Sequence, residues 1–198
     1  MANKIWREKR FFPLLATQFL GAFNDNLFKN TLMVFVAYRL LADAQTVNIY
    51  ANLAAGIFIL PYFLFSAFAG LLADKYSRSQ LARILKISEL VLMIAAAVIF
   101  MFNSPNLLIF MLFLMGLQST FFGPIKYALL PQLLKQNELV AGNAYVEAST
   151  YISIILGSIL GTLLPIYASV ALLIACAAAG VVSAYKIPQT AGVQPDLK

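Results

Sequence analysis

Histidine is absent from this 198-residue chain, and Cys176 is its single cysteine. Without imidazole, the usual general base near neutral pH and the commonest metal ligand are both missing. A lone thiol closes no internal disulfide, and inside an apolar segment it reads as packing. No metal and no cofactor is therefore expected. The chain also lacks a Gly-x-Ser-x-Gly elbow and a Gly-x-x-x-x-Gly-Lys-Ser/Thr loop, which argues against a serine hydrolase and against direct ATP drive. Charge is scarce as well. Charged residues make up 11 % of the chain and hydrophobic ones 62 %, where soluble domains carry about 45–50 % apolar residues. A soluble domain of this length needs a charged exterior that these residues do not supply.

What fills the chain instead is a set of six long apolar segments, at about 11–41, 48–73, 81–102, 107–133, 139–164 and 166–185. Crossing a hydrocarbon core about 30 Å thick takes roughly 20 residues of helix. Backbone groups in lipid must be satisfied within the segment, so helices are the expected form. The fold class is an all-α membrane protein of six transmembrane helices, one domain over 1–186, with 187–198 as a flexible tail or linker. The first segment follows basic residues, as in a signal peptide, but it runs on for about 30 residues without a short core and a cleavage site. The connection at 103–106, Asn-Ser-Pro-Asn, is a turn signature, and Asn137 is a plausible N-cap for the fifth helix.

The formal charge is +6, and its placement points to a membrane rather than to nucleic acid. Lys4, Arg7, Lys9 and Arg10 precede the first helix, and Lys75, Arg78, Arg83 and Lys86 cluster between the second and third. Lys135, Lys186 and Lys198 continue the pattern on the same side, with Arg39 alone on the other. The positive-inside rule then predicts a multi-pass protein with cytoplasmic N-terminus and C-terminal tail, in contact with membrane lipids.

Charged residues within the apolar segments carry the functional argument, because polar side chains facing lipid are costly. The first segment contains Gly-Ala-Phe-Asn24-Asp25-Asn26 from position 21, and the fourth contains Gly-Leu-Gln-Ser-Thr-Phe-Phe-Gly-Pro-Ile-Lys126 from position 116. Two glycine-led polar breaks three helices apart suggest a 3+3 repeat with interrupted helices at a transport site. Asp25 and Lys29, four residues apart on one face of the first helix, can pair. Lys126 and Glu147 fall at similar depth on neighbouring antiparallel helices and could also pair, although Lys126 could snorkel on its own stem. Glu89, three residues after Lys86, reads as an interface pair. Ser149, Ser153, Gly157 and Gly161 form a small-residue ridge for close helix packing.

Several of these residues carry a family likeness. Gly70-Leu-Leu-Ala-Asp74-Lys-Tyr-Ser-Arg78 resembles the signature loop of the major facilitator superfamily, Gly-x-Leu-x-Asp-Arg-x-Gly-Arg-Lys, and departs from it at Ser77 and Ser79. Gln18-Phe-Leu-Gly-Ala-Phe-Asn-Asp-Asn26, Phe122-Gly-Pro-Ile-Lys-Tyr127, Ala141-Gly-Asn143, Glu147-Ala-Ser-Thr150 and Leu156-Gly-Ser158 resemble the bacterial lysophospholipid transporter family. The likeness is especially close to versions fused to acyltransferase and acyl-carrier-protein synthetase domains. It implies the N-terminal half of a twelve-helix carrier in the bacterial inner membrane, with a C-terminal six-helix half as partner. The cargo so implied is lysophospholipid, chiefly lysophosphatidylethanolamine, moved between leaflets by alternating access. Asn24, Asp25, Asn26, Lys29, Lys126 and Glu147 are then the expected substrate cavity, and Gly70, Asp74 and Arg78 the conformational gate. A small-solute or drug exporter of the same superfamily, and a membrane module serving fused acyltransferase domains, are the alternatives. No enzymatic activity is expected of these residues themselves.

Overall fold

The computed structural model describes residues 5–39 and 42–190, without the side chain of Arg39. Six long helices make up almost all of it: α1 Phe12–Val34, α2 Ala44–Lys75, α3 Arg78–Met101, α4 Pro105–Leu133, α5 Leu139–Leu163 and α6 Ile166–Tyr185. A π-helical turn, Phe35–Arg39, extends α1, and a 3-10 turn, Gln136–Glu138, leads into α5.

Five of the six, α2 to α6, are long and apolar enough to cross a membrane. The chain is thus a multi-pass membrane protein. The exception is α1, whose 23 residues span about 35 Å but include Gln18, Asn24, Asp25, Asn26, Lys29 and Asn30. These side chains do not break the helix. Asn26 Nδ2 donates to Ala22 O, Asn30 Nδ2 to Asn26 O and Thr17 Oγ1 to Pro13 O, each four residues back. The fourth helix likewise runs unbroken through its polar segment, with Pro124 and Pro131 inside it. The expected interruptions are therefore interruptions of hydropathy and not of helix.

Three helix starts differ from the apolar pattern because capping chemistry sets them. Asp43 caps α2, its side chain accepting from the Thr46 amide at 2.6 Å, so the helix begins before the apolar run. Ser77 caps α3 three residues earlier than hydropathy suggests. Pro105 starts α4 in a first-turn position where its missing N–H costs nothing, after a turn in which Asn103 takes a positive φ of 52°. Asn137 does not cap the fifth helix. It lies in the 3-10 turn, and Glu138 holds the cap position instead.

Packing follows small residues. α5 lies against α1, with Ser153, Gly157 and Gly161 buried. A Cβ at Gly157 would stand 2.5 Å from Phe23 O, and one at Gly161 2.6 Å from Leu27 O. The small-residue ridge is what lets the two backbones touch. α1 also packs on α6, α4 packs on α2 and α3, and α3 packs on α6, with a lighter contact between α1 and α4.

The apolar core forms two clusters. One holds Phe28, Phe35, Phe100, Met93, Leu108, Leu112 and Leu173, with Phe100 edge-on to both Phe28 and Phe35. The other holds Ile5, Phe11, Leu14, Leu129, Leu130, Leu133, Ala184 and Ile187. Between them, on α1, α3 and α4, the chain inserts Gln18, Asp25, Lys86, Glu89 and Gln118. A polar layer is thus sandwiched between two apolar ones.

Candidate functional site

The polar layer opens into a cavity of about 350 Å³. α1 contributes Gln18, Gly21, Ala22, Asp25, Asn26 and Lys29, and α4 contributes Gln118, Ser119, Phe122, Gly123 and Lys126. Phe58, Ile59 and Tyr62 of α2, Lys86 of α3, and Thr150 and Ile154 of α5 complete the wall. Asp25 and Lys126 therefore face one shared space.

The expected ion pairs form differently. Asp25 accepts a hydrogen bond from Ser119 Oγ at 2.6 Å, and Lys29 turns its ammonium over the Phe58 ring, 5.7 Å from the centroid. Asp25 and Lys29 are thus not paired, because α4 and α2 supply each with a different neighbour. Lys126 and Glu147 are not paired either. Tyr127 stands between them, donating its hydroxyl to Glu147 and offering its ring to Lys126 at 4.8 Å. Glu147 is absent from the cavity wall. Asn24 faces away from the cavity: its Nδ2 donates to Glu89 Oε1 at 3.1 Å and to Leu173 O at 3.2 Å.

Lys86 and Glu89, expected at the membrane interface, lie inside the bundle instead. Their side chains are 1 % and 3 % exposed, and they pair at 2.5 Å inside the bundle. Gln118 Nε2 also reaches Glu89 Oε2, at 3.5 Å, and the Phe122 ring lies 5.2 Å from Lys86 Nζ. A Cβ at Gly21 would collide with Lys86 Nζ, so glycine makes the space that the ammonium occupies. Lys86 accordingly leaves the group of basic residues that flank the apolar segments. A carboxylate three residues from a lysine on an apolar helix was the available signal. Because α3 starts at Arg78 and not at 81, the pair lies about one turn deeper than the apolar run suggests.

At the basic end, the loop between α2 and α3 is held from both sides. The buried Arg78 guanidinium donates to Ala73 O at 3.1 Å, to Ala128 O at 3.0 Å and to Asp74 Oδ1 at 3.3 Å. It thus ties α2, α3 and α4 together. Gly70 faces open space, with nothing near the position of a Cβ. Ser77 and Ser79, where the chain departs from the signature pattern, bind the segment after α6. Ser77 Oγ donates to Thr190 O at 2.5 Å, Ser79 N to Thr190 Oγ1 at 3.1 Å, and Thr190 N to Ser79 Oγ at 3.1 Å. Arg83 adds a bond to Ile187 O at 3.1 Å. Residues 187–190 of the expected tail are therefore strapped to the start of α3, and 191–198 lie outside the described residues. Arg10 joins the N-terminal segment to the connection between α4 and α5 through Glu138, at 2.8 and 2.9 Å.

The chain that folds into this bundle, with a charged cavity between α1 and α4 and an Asp74–Arg78 latch after α2, resembles known proteins in sequence. The family model for the Major Facilitator Superfamily matches residues 14–196. The chain belongs to the major facilitator superfamily. It is similar to the lysophospholipid transporter LplT of Citrobacter koseri, 32 % identical over 197 residues, which is 98 % of this chain and 46 % of the relative. The proteins of the same name from Salmonella heidelberg and Salmonella paratyphi B are each 30 % identical over the same shares. The chain spans about half the length of the curated relatives it matches.

Proposed function

We propose that this chain is one six-helix half of a carrier that moves lysophospholipid across the bacterial inner membrane by alternating access. The observation that carries the reading is the composition of the cavity wall. Asp25 offers an anion, and Lys29 and Lys126 offer cations, within one space of about 350 Å³. A zwitterionic headgroup, with an ammonium and a phosphate, needs both signs close together. Similarity to proteins named lysophospholipid transporters supports the same cargo. Asn26 and Gln18 add neutral hydrogen-bonding groups to the wall, and Phe58 and Phe122 give it apolar surface where an acyl chain begins.

The helix pairings support a 3+3 arrangement with α1 as a sixth span. Exchanging α1, α2 and α3 with α4, α5 and α6 turns the α1–α5 contact into α4–α2, and α1–α6 into α4–α3. The α1–α4 and α3–α6 contacts map onto themselves. α1 tolerates its polar residues because its neighbours enclose it. Gly70, Asp74 and Arg78 act as the gate, with Gly70 free to meet a second half. The domain so read covers 1–186, with 187–198 as a tail or a linker to that half. The basic end is cytoplasmic, and fused acyltransferase or synthetase domains, where present, act on the delivered lipid. The cargo changes sides without covalent change, which is transport and not catalysis.

The test is transbilayer movement of a labelled lysophosphatidylethanolamine in vesicles containing the protein as the cell makes it. Movement above empty vesicles is expected, at least tenfold slower with Asp25→Asn or Lys126→Ala. Movement no faster than in empty vesicles, with folded protein present, would remove the assignment. Soluble solutes that compete where lysolipids do not would point to an exporter of small molecules.

A further inference from the structure

Lys86 is tied down at one point. Its ammonium carries three donors, and among the described residues it makes a single hydrogen bond, to Glu89 Oε2. The Phe122 ring lies 5.2 Å from Nζ, and Nζ occupies the space where a Cβ at Gly21 would stand; Phe122 and Gly21 both line the cavity. Glu89, by contrast, is well supplied, receiving bonds from Lys86, Asn24 and Gln118. A carboxylate so held stays in place if the lysine leaves it, because two amides remain. A buried ammonium with free donors is drawn to any anion that reaches it.

We propose that Lys86 is a substrate-binding residue that takes the phosphate of the lipid headgroup, and that Glu89 is the positioning residue that holds it when the cavity is empty. The inference rests on the headgroup reading given above and deepens it. Wall residues Asp25, Lys29 and Lys126 place the headgroup, and Lys86, 1 % exposed, adds a buried cation on the same wall. Gly21 keeps the path open, since any larger residue there would displace the ammonium. Glu89 competes with the phosphate for the same ammonium, so the empty site holds its cation without a counter-ion from solvent.

Competition makes a prediction that a purely structural pair does not. Equilibrium binding by the purified protein is measured for two ligands of equal acyl chain, lysophosphatidylethanolamine and a monoacylglycerol that lacks phosphate. Glu89→Gln, which removes the charge and keeps one amide oxygen to accept from Lys86, is expected to tighten the phospholipid about threefold or more and to leave the monoacylglycerol unchanged. The double variant Lys86→Met/Glu89→Gln removes both charges together and leaves neither buried alone. It is expected to weaken the phospholipid about tenfold and spare the monoacylglycerol. A double variant that binds the phospholipid as well as the parent, or that loses both ligands equally, overturns the assignment. If the parent protein itself fails to bind lysophosphatidylethanolamine, the headgroup reading of the cavity falls and takes this one with it.

Discussion

Asn24 and Asp25 are adjacent in the chain and serve opposite sides of α1. Asn24 turns toward α3 and α6, where every charge has a partner: Glu89 against Lys86, with amides from Asn24 and Gln118. Asp25 turns into the cavity, where Lys29 and Lys126 rest on aromatic rings and no carboxylate lies within ion-pair distance of either, among the described residues. The first side resembles a solved electrostatic problem and the second an open one. A bundle needing charge only for stability would match all of it, since an ion pair in an apolar interior is often less stable than the hydrophobic residues that could replace it. The unmatched side is the one that offers a ligand charges with no partner of their own, whereas Lys86 on the matched side must first give up Glu89.

The sharpest way to break this comparison is to unmatch the matched side. Glu89→Leu leaves the Lys86 ammonium buried without its carboxylate and is expected to cost about 3–5 kcal/mol in chemical or thermal unfolding. Combining it with Lys86→Met should recover most of that loss. Asp25→Asn on the cavity side should shift stability by less than about 1 kcal/mol, because an amide oxygen still accepts from Ser119. Equal losses on both sides would erase the distinction between them.

A smaller effect is expected where matching is by carbonyl and not by charge. Arg78 is buried but Asp74 is half exposed, so their ion pair contributes little beside the bonds to Ala73 O and Ala128 O. Arg78→Lys keeps the charge but loses the planar fork that reaches three acceptors. A loss of about 1–3 kcal/mol, with faster amide exchange at the ends of α2 and α4, is expected. If Arg78→Lys were neutral while Asp74→Asn was costly, the latch would depend on charge after all. Smaller again is the strap at Thr190. Ser77→Ala with Ser79→Ala should release residues 187–190 to exchange about tenfold faster, and leave the bulk of the bundle unchanged.

These differences also separate what the sequence discloses from what it hides. Long apolar runs reveal the helices because lipid permits little else, and Asp25 and Lys126 stand out because polarity there needs a reason. The start of α2 at Ala44 was hidden because Asp43 and Thr46 set it through a cap, which hydropathy does not register. Lys86 and Glu89 were hidden more thoroughly. An i, i+3 pair looks the same at an interface and in a core, and only packing against Gly21, Asn24 and Phe122 decides which it is. Ser77 and Ser79 looked like losses from a pattern because their partner, Thr190, is more than a hundred residues away in the chain.

The smallest expected effect lies outside the membrane, where water supplies an alternative partner for every charge. The Thr46 amide donates to the Asp43 carboxylate at the start of α2 and holds its pKa below the ordinary carboxylate value. A depressed pKa means that the folded state binds the proton less readily than the unfolded chain. The cap's contribution is therefore present above the unfolded value, about 3.9 for aspartate, and is lost as pH falls through the lower folded value. Amide exchange in the first turn of α2, corrected for its intrinsic pH dependence, should lose protection below about pH 4, while the polar layer inside the bundle keeps its own. Asp43→Asn keeps a capping oxygen that does not titrate in this range, so its first turn should show no such step. A step that persists in Asp43→Asn would assign the acid sensitivity to some other group and leave the cap without an electrostatic role.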